Sequence, residues 1–199
     1  MNNEVLTFNT AEDKVYQEQI KTYNLVPEND PILLEALPEF DFDNPEINPT
    51  ELASALVETC KQHKGLGLSA NQCGLRHRVF VMGYGDEYVA FFNPKILHQS
   101  DEVVHMQEGC LSFPHLFLNI TRPSTVNVEY QDYNGNIKKA VFTGMTARCF
   151  LHEYDHLSGI TFTTRAKPLA LKSGNDKRKK LFSSMEKVAK KIGKLAKKR

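Results

Sequence analysis

The chain has 199 residues, 41% of them apolar and 25% charged, and its formal net charge is +1. That is a globular composition, neither disordered nor collagen-like, and no apolar run is long enough to span a bilayer. The near-zero total conceals a division. Residues 172–199 carry 12 basic and 2 acidic residues (+10), whereas residues 1–171 carry 13 basic and 22 acidic ones (−9). An acidic body with a basic tail points to a tail that meets a polyanion.

Along the chain, Met1 to Phe8 lacks the basic start, apolar core and small-residue cleavage site of a secretory signal. The four cysteines (Cys60, Cys73, Cys110 and Cys149) are therefore read as reduced thiols or metal ligands, not as a disulfide framework. Residues 1–26 are polar and weakly patterned, an N-terminal extension that is either a short helix on the body or an arm. Pro27 to Pro49, rich in Pro, Asp, Glu and Asn, predicts an extended segment wrapping a core. Thr50 to His63 predicts the first helix, capped by Thr50, with Leu52, Ala55, Leu56, Thr59 and Cys60 on one face.

A β-rich middle follows. His77–Met82 and Tyr88–Asn93 have strand content, and Val126–Tyr130 and Ile137–Phe142 flank an Asn-Gly hairpin turn. Thr143 to Leu157 predicts a second helix, Ile160 to Thr164 a short strand, and Lys172 to Arg199 a final helix after a hinge at Ser173-Gly174-Asn175. In that tail Leu181, Phe182, Met185, Ala189 and Ile192 recur at helical spacing with lysines on the other face.

The chemistry concentrates in three stretches. His152-Glu153-Tyr154-Asp155-His156 puts two histidines one helical turn apart, so both imidazoles reach one metal ion. Glu153 lies one step around the helix. There it can take a proton from a water activated by that metal and pass it to a leaving group. The helix also carries Ala147, Phe150, Leu151 and Leu157, which predicts burial, and buried histidines need partners. Candidates for a third ligand are Cys110, Asp155 and a more distant His. Cys110 stands out within Glu108-Gly109-Cys110-Leu111-Ser112, because the adjacent Gly lets backbone come close to a metal or substrate. The third stretch, Gly65-Leu66-Gly67-Leu68-Ser69-Ala70-Asn71-Gln72, allows backbone approach to an extended ligand, but read alone it is a tight turn.

Together, in this order and spacing, the three stretches resemble the peptide deformylase family over roughly residues 27 to 166. The resemblance implies an α+β fold, with small antiparallel or mixed sheets around a central metal-binding H-E-x-x-H helix and a basic C-terminal helix. It implies an extension over 1–26, a catalytic domain over 27–171 and an amphipathic helix over 172–199. It implies a metal-dependent hydrolase that removes the N-formyl group from formyl-methionine at the start of nascent polypeptides, releasing formate.

Under it, Cys110, His152 and His156 hold the metal, Fe(II) natively, with Zn, Ni or Co as substitutes. Glu153 is the acid/base, and the Gln72 amide and Leu111 N–H hold the oxyanion. Leu66 and Gly67 line the substrate cleft, where backbone pairing with a peptide strand is expected. The implied enzyme is a cytoplasmic monomer, or acts in the cytoplasm of an infected host cell, and its tail either contacts ribosome or RNA, lies on a membrane surface or only docks on the body. Departures from the motifs are Ser69 where the family has Ala, Leu151 where it has Gln, and Leu34 where it has Arg. Two other readings share features: a zincin-type metalloprotease, whose third ligand is usually a downstream Glu, Asp or His, and a ribosome- or RNA-binding protein with a vestigial site.

Overall fold

The computed structural model describes residues 21–196. The expectation for residues 1–20 and for the last three residues of the tail lies outside them. The first helix, α1 (Pro49–Gln62), starts one residue before its predicted cap. Asn48 is the cap: its side-chain oxygen accepts from the N–H groups of Thr50 (2.9 Å) and Glu51 (3.2 Å), and Pro49 takes the first helical position, where no N–H is required.

Seven strands follow, and all their pairings are antiparallel. Strands β1 (Gly67–Ser69), β2 (Val79–Tyr84) and β3 (Glu87–Gln99) join β6 (Thr125–Gln131) and β7 (Ile137–Thr143) in one five-stranded sheet ordered β1-β2-β3-β6-β7. Strands β4 (Val103–Cys110) and β5 (Phe113–Pro123) form a separate two-stranded sheet. The helices α2 (Gly144–Leu157), α3 (Phe162–Arg165) and α4 (Pro168–Ala196) complete the chain. This is the expected mixed α+β architecture with antiparallel sheets and a C-terminal helix.

Side-chain alternation along β2 explains the layering. Val79 and Val81 face α1 and pack with Leu52, Leu56, Leu68 and Phe92. Phe80 and Met82 face the opposite way, into a cluster with Phe91, Val128, Phe150 and Leu157 that seats α2. The stack of Phe80 on Phe91 (centroids 4.9 Å apart) with Phe150 edge-on (5.2 Å) fixes the depth of α2. A third cluster of Leu116, Leu118, Ile120 and Phe162 covers the inner face of β5.

The Pro-rich segment is irregular, with a turn at Glu28-Asn29, a 3-10 turn at Pro31–Leu34 and bends at 42–44 and 46–47 between extended stretches. It is pinned to the core by Leu37 N–H to Leu157 O (2.9 Å) and by Asn93, whose side chain bonds both backbone groups of Phe40. Tyr23 and Leu25 pack against the α1 cluster.

Two expectations fail. Ile160 to Thr164 is not a strand. Thr161 is extended and the chain then makes one helical turn, because Phe162 plugs into the β5 cluster and Thr164 N–H closes back on Thr161 O at 3.1 Å. Ser173-Gly174-Asn175 is not a hinge either, since α4 runs unbroken from Pro168. A Cβ at Gly174 would sit 2.7 Å from Leu118 Cδ2 and 3.1 Å from Leu116 Cδ1, so the missing side chain serves close packing of helix on strand. No described helix is long and apolar enough to cross a membrane.

Candidate metal centre and active site

The site forms where β4 ends, β1 turns and α2 passes behind both. On α2, His152 and His156 stand one turn apart with ring centroids 5.2 Å from each other. Cys110, the last residue of β4, brings its Sγ to 3.2 Å from His156 Nε2. One ligand atom from each of Cys110, His152 and His156 lies within 4.8 Å of the other two, a spacing that a single ion can bridge. Asp155, the other nearby candidate, is engaged elsewhere: it accepts from Arg122 at 2.8 Å and Arg165 at 2.6 Å.

Electrostatics favour the thiolate form of Cys110. Burial alone would raise the Cys110 thiol, but the neighbouring His156 and hydrogen bonds from both imidazoles outweigh it and hold the thiol well below its usual range. His152 is pushed the other way, up to about 10. Burial opposes that rise, and hydrogen bonds with Cys110 and Glu108 drive it. Thiolate and imidazolium thus stabilise each other, and a divalent cation can take over the positive role. His152 Nδ1–H donates to Glu108 Oε2 at 3.0 Å, which fixes the ring and turns Nε2 toward Cys110. Among the described residues the buried His156 Nδ1 has no hydrogen-bond partner. One soft sulfur and two imidazole nitrogens are a donor set that fits a catalytic transition-metal ion with a position left open.

Glu108 is the centre of a buried ionic network. Its carboxylate accepts from Arg122 Nε (2.7 Å) and Arg148 Nη1 (2.6 Å) as well as from His152. Burial would raise it, but His152 and Arg122 bring it down to about 2. Arg122 reaches on to Asp155, so β4, β5 and both ends of the His152–His156 turn are joined by charge-assisted hydrogen bonds.

Glu153 is fully enclosed. Burial raises its carboxyl most, Cys110 adds to this, and the two histidines and a hydrogen bond with Ser69 oppose it. One wall is Gly67: a Cβ there would lie 2.5 Å from Glu153 Oε1, so only glycine lets β1 pass this close. The Gly65–Gln72 stretch is therefore more than a tight turn. It supplies strand β1 and then a 3-10 turn at Ala70–Cys73 that carries Gln72. Gln72 accepts from Ser69 N–H (2.9 Å) and aims its amide at Ser112 Oγ (3.0 Å) and Cys110 Sγ (3.4 Å).

Cys110, His152, Glu153, Gln72 and Glu108 border one cleft of about 590 Å³, which Leu66, Gly67, Leu111 and Phe117 also line, and His156 stands behind Cys110 at its inner end. Every site residue expected from the sequence thus meets here. Arg122 and Arg148 went unread, as did any role for Glu108. The alternation Leu116, Leu118, Ile120, Arg122 on the buried face of β5 was the available signal for Arg122.

Residues 22–172 match the family model for polypeptide deformylase. The chain belongs to the polypeptide deformylase family. It is 39% identical over 140 residues to a peptide deformylase of Thermotoga petrophila, covering 70% of this chain and 84% of that one. Among solved structures it resembles the peptide deformylase of Synechococcus elongatus in complex with actinonin. That match has a TM-score of 0.73 and 30% identity, and covers 78% of this chain and 87% of that one. The Thermotoga maritima peptide deformylase structure superposes with a TM-score of 0.67 and 35% identity, over 74% of this chain and 99% of the other. Deformylases are hydrolases of N-terminal processing, acting on nascent peptides with a catalytic metal, and this chain is one of them.

Proposed function

We infer that this deformylase removes the formyl group from N-terminal formyl-methionine at the cleft bordered by Cys110, His152, Glu153 and Gln72, with His156 beside Cys110. The convergence of a three-donor cluster, an enclosed carboxylate and an aimed amide on one cleft carries this reading. Cys110 at the end of β4, with His152 and His156 on the H-E-x-x-H helix, would hold the metal. The thiolate-containing donor set suits Fe(II), and Zn, Ni or Co can satisfy the same ligands. Bound there, a divalent ion supplies Lewis-acid activation of water and of the formyl carbonyl.

The chain's own groups do the rest. Glu153, whose carboxyl is raised by burial, takes a proton from the attacking water and returns it to the departing amine. Gln72 Nε2 and the Leu111 backbone N–H stabilise charge on the former carbonyl oxygen. Leu66 and Gly67, on the approach to β1, offer backbone to an extended peptide.

The test is formate release from formyl-Met peptides by Fe(II)-loaded protein, measured beside cleavage of internal peptide bonds. Formate release without internal cleavage is the expected result, and the reverse would make the protein a zincin-type protease. We take 27–171 as the catalytic unit, working as a monomer because one chain supplies every group of the site. Its formylated substrate arises at translation, which places the reaction in the cytoplasm, that of an infected host cell included.

We assign the tail to ribosome or RNA contact. Its first half docks on the body: Gly174 lies on β5, Arg178 pairs with Glu28, and Phe182 meets the His115 ring edge-on at 5.5 Å. Beyond it, Met185, Val188 and Ile192 are exposed on a helix dense in lysine. Deleting residues 185–199, and not the docked half, should reduce salt-sensitive co-sedimentation with ribosomes while sparing short-peptide cleavage. Unchanged co-sedimentation would end this assignment.

A further inference from the structure

Ser69 stands where the motif this stretch resembles carries Ala, and the structure gives that one extra oxygen a specific partner. Ser69 is completely buried, and its Oγ lies 2.9 Å from Glu153 Oε2 and 3.1 Å from the Glu153 backbone oxygen. The other carboxylate oxygen, Oε1, faces Gly67. β1 therefore holds Glu153 from two sides: Gly67 makes room for one oxygen, and Ser69 bonds the other.

We propose that Ser69 is a positioning residue for Glu153, holding Oε2 so that Oε1 is the oxygen that exchanges protons with substrate. This rests on the reading of Glu153 as the acid/base. A hydroxyl suits the task because it carries one proton and can also accept one. While Glu153 is a carboxylate, Ser69 donates to Oε2. If the carboxyl proton visits Oε2, Ser69 accepts it in a hydrogen bond and turns its own proton to the Glu153 backbone oxygen. No bond is made or broken at Ser69 in either state, and an Ala there can do neither.

The same residue anchors Gln72, but through its backbone N–H to Gln72 Oε1 at 2.9 Å. Ser69→Ala keeps that bond but removes the hydroxyl half of the capping box with the Gln72 N–H, so the Glu153→Ala background is what isolates the hydroxyl's action on Glu153. Removing one atom, in favour of the residue expected from the motif, should leave the fold intact.

The experiment compares wild type, Ser69→Ala, Glu153→Ala and the double variant on a formyl-Met peptide, with metal content and thermal midpoint measured on each. Ser69→Ala is expected to lower kcat about tenfold, the worth of one hydrogen bond to a charged group, with KM and metal content unchanged. In the Glu153→Ala background the same change is expected to cost nothing further, because its target is gone. An unchanged kcat, a loss confined to KM, or an equal loss in both backgrounds would overturn the proposal, and so would a lowered midpoint with normal turnover. Near-normal turnover of Glu153→Ala would instead remove the acid/base reading beneath it, so the two failures are distinguishable.

Discussion

The turn of α2 from His152 to His156 and the outer half of α4 are both helical and both rich in ionisable groups, yet they are built on opposite terms. Around His152, Glu108, Arg122, Arg148 and Asp155 are all buried and joined by hydrogen bonds of 2.6–3.0 Å. Leaving any one unpaired there is expensive. On α4 beyond Phe182 the charges are solvated. The ion pair between Lys190 and Glu186, at 2.7 Å, joins two well-exposed side chains and contributes little. Chemistry that needs groups fixed in place sits where substitution is costly. The surface proposed to meet a charged partner sits where side chains are nearly free to vary.

The largest expected effect tests the first region. Glu153→Ala should retain stoichiometric metal but lose about 10²–10⁴-fold in turnover, measured by formate release alongside metal analysis. Glu108→Ala should follow. It leaves Arg122 and Arg148 buried without their carboxylate and frees the His152 ring, so metal affinity should drop about 10–100-fold and stability by about 3–5 kcal/mol, read by chelator competition and urea unfolding. Gly174→Leu tests the boundary between the regions. Its side chain meets Leu118 and Leu116, and a loss of about 1–2 kcal/mol is expected after the gain in helix propensity is set against the clash. The smallest stability effect belongs to the outer helix. Replacing Lys187, Lys190 and Lys191 together by Gln should leave the urea midpoint and peptide cleavage within error, while the salt dependence of ribosome co-sedimentation falls. A marked loss of stability from that triple change would break the comparison.

The sequence was most legible where a local pattern and its tertiary use agree. The α1 periodicity, the H-E-x-x-H spacing and the Asn134-Gly135 turn each specify their geometry within a few residues. The β4–β5 sheet was not seen as such, because half of β4 faces solvent and its Val103-Val104-His105-Met106-Gln107 run has no clean alternation. Ile160–Thr164 has the β-branched content of a strand, yet the pull of Phe162 into a cluster assembled from β5 overrides that propensity. Gly174 reads as a break in any helix taken alone; only the presence of Leu116 and Leu118 beneath it reveals a contact. At the site, residue types pointed to the side chains that the fold brings together. The residues that hold them, Glu108, Arg122 and Arg148, come from separate strands and a helix, and no spacing in the chain announces their meeting. Ser69 is the opposite case: a departure from the motif by a single oxygen, it touches Glu153 directly.

Cys110 and His156 are 46 positions apart, one closing the two-stranded sheet and the other on the helix packed beneath the five-stranded one. An ion held between them is therefore a tether between two pieces of the molecule. Its binding energy is added to the stability of the folded state, so loss of the ion weakens the structure as well as stopping the reaction. The amides of β4 and β5 would then be the first to exchange with solvent, while those of β2 and β3, enclosed by aromatic packing on one side and α1 on the other, would hold. The occupancy of the centre could thus be followed without substrate, from the order in which backbone protons leave.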